Sequence, residues 1–447
     1  MRSTLFGGAL AIAGALVAVG SPAHAEVAVS GDPALYWNQV LSKGLPGGPV
    51  VSSRGFAMVS SAIHDAVNAT TGNHNYALVP GVVTSGGDTR AATAVAARNL
   101  LVQLNPAGAA TYDAALANSL ALVPDGAAKT NGIATGAAIS TAMAAFRAGD
   151  GAGAPSTYMP SGGLGDWAPT PPGNLPAAIP SWATVDPWLM GSPDAFRPPP
   201  PPNIGSIEYA AAYNEVMAIG SATSGVRTAD QAAAANFWVA AAGAAPWYQA
   251  GLSAVEGDGL STLENARIFA LVATAVADSA IGIWDAKYEY DYWRPVTGIR
   301  NGDLDGNAGT IGDVAWNPLI VTPNHPSYIS GHSGIAGAAS SVLSGLLGES
   351  QHFCLTAAAM TRCWDSYSGA AQEAADSRLW GGIHWRFDNE AGLALGRQVG
   401  AYALASTAFD AVPEPATWAM MILGFGAAGA VMRRRRALGL ADAPAQG

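Results

Sequence analysis

Through most of the chain, apolar residues recur at three- and four-residue steps, with alanine filling many of the places between them. That spacing puts one face of a helix against a core. It predicts helices over 33–45, 55–71, 89–104, 107–121, 127–148, 206–221, 229–244, 262–289, 330–347, 370–380 and 389–409. No sustained two-residue alternation marks a strand. The helical rhythm breaks over 150–205, which is rich in glycine and proline and holds five consecutive prolines, Pro198 to Pro202. Proline locks φ and has no N–H, so this stretch is a stiff extended arm or spacer and not helix interior. The expectation is an all-α chain of two packed helical bundles bridged by the arm. The N-terminal region is 26–205 and the C-terminal bundle is 206–411. No short-period repeat is visible.

Both ends depart from this pattern. Residues 1–25 read as a secretory signal: Arg2, an apolar run over 5–19, and a small-x-small end at Ala23-His24-Ala25. At the other end, Val412-Pro413-Glu414-Pro415 precedes an apolar run over 418–432 and then Arg433 to Arg436. That run falls short of the roughly 20 residues a spanning helix needs. The tail 412–447 resembles the PEP-CTERM sorting signal, which an exosortase reads during export in Gram-negative bacteria. The resemblance implies that the tail is cut and the body delivered to the cell envelope, periplasm or extracellular matrix. Membrane contact would then run only through the tail. A simple C-terminal anchor is the alternative. Between the two ends there is no uninterrupted apolar run of 18 residues.

Composition narrows the picture. The chain has 447 residues, half of them hydrophobic and 12% charged, ample for a large buried core. Net charge is −11, and residues 26–411 carry 16 Lys+Arg against 30 Asp+Glu. Nucleic-acid binding needs a basic surface, so it is excluded. Lysine is scarce, with only Lys43, Lys129 and Lys287, so a cluster of cations stands out. Cys354 and Cys363 allow a disulfide in an exported protein or two free thiols. His64 and Asp65 read as polar residues at a helix–helix contact.

Three segments concentrate the chemistry. KYEYDYWRP carries Lys287 and, seven residues on, Arg294; HPSYISGHSG carries His325, Ser330, Gly331 and His332; SRLWGGIHWRFD carries Arg378, His384 and Asp388. Seven residues is nearly two helical turns, which would put Lys287 and Arg294 on one face. Arginine offers a planar fork of donors to an oxyanion. Gly331 lets its amide approach closely, and a helix starting near Ser330 adds free N–H groups. Together these can surround a tetrahedral oxyanion, with one histidine bonding its centre and another moving a proton. Asp388, four residues after His384, could orient that imidazole across one helical turn.

The order and spacing of these motifs resemble the superfamily of vanadium-dependent haloperoxidases and type-2 phosphatidic-acid phosphatases. The stretches AIHDAVNA, YWRPVTGIR and GGIHWRFDNEAG extend the likeness to its bacterial haloperoxidase-related branch. The resemblance implies an oxidoreductase that uses vanadate as cofactor and hydrogen peroxide to oxidise a halide, producing a hypohalous-type oxidant for a small organic acceptor. Lys287, Arg294 and Arg378 would neutralise the vanadate oxygens, Ser330 and Gly331 would complete the cradle, and His384 would be the vanadium ligand. His332 would be the acid–base residue and Lys287 would polarise peroxide. In the algal bromoperoxidases a histidine lies seven before the acid–base histidine, where chloroperoxidases have an aromatic residue. His325 therefore implies bromide or iodide over chloride, unless it only braces the loop. Relatives are often homo-oligomers.

One departure stands out: the phosphatase pattern Pro-Ser-Gly-His is here interrupted after Pro326-Ser327 by Tyr328-Ile329. Two other readings use the same residues. In a soluble acid phosphatase, His384 would attack phosphorus and form a phosphohistidine while His332 protonates the leaving group. In a non-enzymatic envelope or matrix protein, the site would only bind an anion or be a vestige.

Overall fold

The computed structural model describes residues 27–71, 87–155 and 158–409, so the signal segment 1–25 and the tail 412–447 lie outside the described residues. Thirteen α-helices and one small hairpin make up the regular structure of the described residues. The first half holds α1 (Pro33–Ser42), α2 (Gly48–Thr71), α3 (Thr89–Leu104), α4 (Ala109–Ala121) and α5 (Ala127–Phe146). After the arm come α6 (Ile207–Ile219), α7 (Ala229–Ala240), α8 (Ala245–Val255), α9 (Thr262–Tyr290) and α10 (Pro295–Arg300). Then follow α11 (Gly331–Leu347), strands β1 (Phe353–Ala357) and β2 (Met360–Trp364), α12 (Tyr367–Trp380) and α13 (Arg386–Ala405).

Helix α9 is the axis of the molecule. Ser261 and Glu264 cap its start reciprocally, satisfying amides that have no partner inside the helix. Its residues from Ala266 to Lys287 are almost all buried. It packs against α2 on one side and against α11 and α13 on another, so the two halves share one hydrophobic cluster running from Ala34 to Phe409. By length and composition α9 could cross a membrane, but 94% of its apolar window is buried inside the protein, as befits a core helix. Asp291, in the left-handed conformation at φ 47°, ends it.

The proline-rich arm wraps this axis. Prolines cannot donate backbone hydrogen bonds, but their carbonyls accept. Tyr290 donates to the Pro198 carbonyl (2.6 Å), Tyr328 to Pro199 (2.7 Å) and Tyr292 to Pro202 (3.0 Å). The amides of Trp188, Leu189 and Met190 converge on the buried Asp278 carboxylate of α9 at 2.6, 2.8 and 3.0 Å. Arg197 adds a bidentate pair to Asp285.

Helices α11 and α13 cross closely because glycines face each other. A Cβ on Gly396 would meet the Gly334 carbonyl oxygen at 2.1 Å, and one on Gly337 would meet the Leu393 carbonyl at 2.7 Å. Two local expectations need correction. The segment 229–244 is not one helix: it stops at Ala240, and α8 begins at Ala245 with Pro246 in its first turn. The β1–β2 hairpin is too short to display an alternation. It is closed by Cys354–Cys363, which form a disulfide and are not free thiols. His64 and Asp65 are buried on α2 among helix contacts.

Candidate functional site

Lys287 sits in the last turn of α9, fully buried, and its Nζ donates to the carbonyls of Pro326 (2.8 Å) and Ser327 (2.9 Å). Arg294 is also fully buried. Its Nε donates to the His325 carbonyl (2.8 Å) and its Nη1 to the Ile383 carbonyl (2.7 Å), so one guanidinium ties all three sequence motifs together. The predicted common helix face is not what joins Lys287 to Arg294. Helix α9 ends at Tyr290, and Arg294 is the residue before α10. The loop turns the arginine back beneath the helix end.

Ser330 caps α11. Its N–H donates to the Asp388 carbonyl (2.9 Å), and its Oγ accepts from the Ser333 hydroxyl (2.8 Å). The two-residue departure in the motif is absorbed by burial: Ile329 is enclosed and Tyr328 reaches the arm. Gly331 opens the helix, and His332 lies in its first turn. His332 Nε2 is 2.9 Å from the Trp238 carbonyl, which can only accept, so the proton sits on Nε2 and Nδ1 keeps its lone pair. His325 Nδ1 lies 2.9 Å from Arg294 Nη2, and its ring packs on Trp284 with centroids 4.9 Å apart.

Arg378, in the last turn of α12, is buried, and its Nε and Nη1 have no hydrogen-bond partner among the described residues. His384 precedes α13, so the expected one-turn helical link to Asp388 is not how they meet. Asp388 is three residues into the cap of α13 and reaches back. Its Oδ2 accepts from His384 Nδ1 (2.8 Å), the Trp385 amide (3.1 Å) and the Ser327 hydroxyl. The Nδ1 proton leaves His384 Nε2 as the basic nitrogen, 3.1 Å from Arg294 Nη1. Two contributors escaped sequence reasoning. Ser327 had a signal, a serine beside Pro326 in the motif. The Trp238 carbonyl had none, because any residue carries one.

Burial sets the electrostatics. It pushes His325, His332 and His384 well below the ordinary imidazole range, and the neighbouring cations push the same way. It lowers Arg378 to about 9 and Arg294 to about 10, so both stay charged at neutral pH. Burial and then Arg294 push Lys287 well below its usual value, while burial raises Asp388 to about 6. The two arginines are charged and Asp388 can offset at most one of them, so the site keeps an excess of positive charge whatever the state of Lys287. An uncompensated buried charge is costly unless an anion neutralises it.

A cavity of about 690 Å³ opens onto this cluster. Gly331, His332, Arg378 and His384 line its floor with His325, while Lys287, Arg294 and Ser330 lie outside its lining. The donor set fits a tetrahedral oxyanion such as vanadate or phosphate. It offers excess positive charge, unpartnered arginine N–H groups, a helix N-terminus and a basic imidazole nitrogen oriented by a carboxylate.

Comparison with known proteins agrees with this geometry. The model of the VCPO second helical-bundle domain matches residues 267–410, and the PEP-CTERM protein-sorting motif matches 411–436. The vanadium chloroperoxidase of Curvularia inaequalis is 34% identical over 89 residues, 18% of this chain and only 14% of that protein's length. Among solved structures, the first bacterial vanadium-dependent iodoperoxidase is 25% identical with a TM-score of 0.71, covering 84% of this chain and 95% of that one. A holo-type bacterial vanadium-dependent chloroperoxidase shares the fold at 16% identity and a TM-score of 0.64, covering 81% and 93%.

Proposed function

Because the chain belongs to the vanadium-dependent haloperoxidase family and carries a PEP-CTERM tail, we propose that it is an exported, vanadate-dependent enzyme that oxidises halide with hydrogen peroxide. The observation that carries this is the buried excess of positive charge around the two unpartnered nitrogens of Arg378.

Lys287, Arg294 and Arg378 would hold the oxyanion by charge, Ser330 and the Gly331 amide would complete the cradle, and His384 Nε2 would ligate vanadium. Vanadate, when bound, supplies Lewis-acid activation of peroxide without changing oxidation state. The chain's own residues do the rest. Asp388 keeps the proton on His384 Nδ1 and so aims Nε2 inward. The Trp238 carbonyl keeps a proton on His332 Nε2, leaving Nδ1 to take a proton from incoming peroxide. Lys287 donates to two carbonyls, and in its protonated form its third N–H would polarise the reacting oxygen. His325, wedged between Arg294 and Trp284, supports bromide or iodide over chloride. Iodide gains further support from the likeness to the bacterial iodoperoxidase. By this reading an exosortase-type enzyme cuts the tail of a protein delivered to the envelope or matrix of a Gram-negative bacterium.

The test is reconstitution of the full chain with orthovanadate. Bromination of a phenolic dye should then depend on peroxide, vanadate and His384, and should vanish in His384→Ala. Hydrolysis of a phosphate monoester without halide oxidation would replace this reading with the phosphatase. Neither activity at any vanadate or phosphate concentration would leave an anion-binding envelope protein.

A further inference from the structure

Peroxide and a halide together need a few tens of cubic ångströms, about one or two waters' worth each. The cavity above the site holds about 690 Å³, within the range of pockets that enclose whole organic ligands. Its walls have a consistent chemistry. Among the described residues outside the oxyanion cluster, Asn236 is the one hydrogen-bonding side chain lining it apart from the indole of Trp284, and no carboxylate does. The rest is aliphatic. Val239 and Val321 are held at its edge 51% and 75% exposed, which costs hydration free energy in the empty state.

A second observation is independent of the volume. Ile179, on the wall, has φ 41° and ψ 50°, a left-handed conformation that a β-branched residue rarely adopts. The neighbouring Ala178 is clamped to impose it. Its amide donates to the Asn324 carbonyl (2.8 Å) and its carbonyl accepts from the Tyr288 hydroxyl (2.7 Å). Enforced strain at a cavity wall is the pattern of a ligand-shaped surface. The wall is also composite: Pro49 and Val50 come from α2, Ile179 from the arm and Val239 from α7.

We propose that this cavity binds the organic acceptor, an uncharged, electron-rich aromatic molecule, so that halogenation takes place on a bound ring and not only through released oxidant. The assignment rests on the haloperoxidase reading and deepens it. A cation is excluded because the floor is positive and no carboxylate faces the cavity. The stoichiometry closes with the species already named. Halide gives up two electrons and peroxide takes them. One ring C–H bond breaks and one C–halogen bond forms. The ring proton and one solvent proton complete two waters. Substrate selectivity would then reside in Val50, Ile179, Val239 and Val321, on segments other than those bearing the oxyanion motifs.

The experiment uses the full chain and 2-naphthol as probe. Without vanadate, naphthol should bind saturably, read by quenching of tryptophan fluorescence and by calorimetry. Val239→Gln combined with Val321→Gln, which adds polarity without charge, should weaken that binding at least tenfold. In the vanadate-loaded protein the same double variant should leave iodide oxidation, followed as triiodide with no organic acceptor, within twofold of the parent. Its brominated naphthol isomers should shift toward the ratio given by free hypobromite. Halide oxidation without saturable naphthol binding, or binding unchanged in the double variant, overturns the acceptor site and leaves the haloperoxidase standing. Naphthol binding with no peroxide-dependent halide oxidation overturns the haloperoxidase reading and, with it, the halogenation.

Discussion

At the scale of single residues, the site is a stability cost turned to use. Arg378 is buried with two of its nitrogens unpaired among the described residues, and the nearby Arg294 adds a like charge. Replacing even a buried ion pair by apolar side chains of similar volume is often neutral or stabilising by about 1–4 kcal/mol, and a buried charge with no counter-charge has less attraction to lose. Arg378→Met should therefore raise the denaturation midpoint of the vanadate-free chain while lowering vanadate affinity by tenfold or more. Parallel denaturation and vanadate titrations check both arms, and a variant that loses stability along with affinity would show that the arginine is structural. Sequence reasoning reached most of these residues because charged groups and histidines are scarce in this chain. It missed the Ser327 hydroxyl on Asp388 and could not reach the Trp238 carbonyl, since backbone acceptors leave no mark in residue type.

At the scale of elements, two contacts set the geometry of the site. The approach of α11 to α13 fixes Ser330 against Asp388, and Gly396 permits it. Gly396→Ala gains about 1 kcal/mol of helix propensity. The 2.1 Å clash with the Gly334 carbonyl outweighs that gain. Overpacking of this kind costs roughly 1–3 kcal/mol. A net loss of stability together with weaker vanadate binding is expected, both from titrations on purified variant. The other contact is the arm on α9 through Asp278. Burial raises that carboxyl to about 6, against the pull of three amide donors and Arg147. A folded pKa above the unfolded value near 3.9 means the contribution is fully present below about pH 4 and is lost as pH rises through 6. The span is about two units, on the order of 3 kcal/mol. Denaturant midpoints from pH 4 to 7 should fall for the parent relative to Asp278→Asn, and parallel curves would refute the assignment. The helices themselves were legible from spacing, most within a turn of their observed ends. The helix-face argument for Lys287 and Arg294 was not, because Asp291 ends α9 between them and no periodicity announces a left-handed residue there.

At the scale of the whole molecule, a buried excess of positive charge links folding to anion binding. A ligand that binds only the folded state adds about 2.7 kcal/mol at a hundred times its dissociation constant. Vanadate, and phosphate less strongly, should raise the melting temperature of the full chain in proportion to the logarithm of concentration. Chloride at equal ionic strength should not. A chain equally stabilised by all three would have only a screened surface charge. By itself the sequence determined the helical class, the C-terminal sorting motif and the identity of the cations and histidines. Those follow from local periodicity, composition and residue chemistry, which act over a few residues. Only the tertiary structure decided how the three motifs meet and which imidazole nitrogen carries each proton. It also closed the cysteines into a disulfide and placed an aliphatic cavity, walled partly by the first half of the chain, above the charge. Most of those depend on contacts between residues far apart in sequence, 31 positions for Arg294 to His325 and 94 for Trp238 to His332, where packing and backbone hydrogen bonds choose among arrangements that local preference leaves equal.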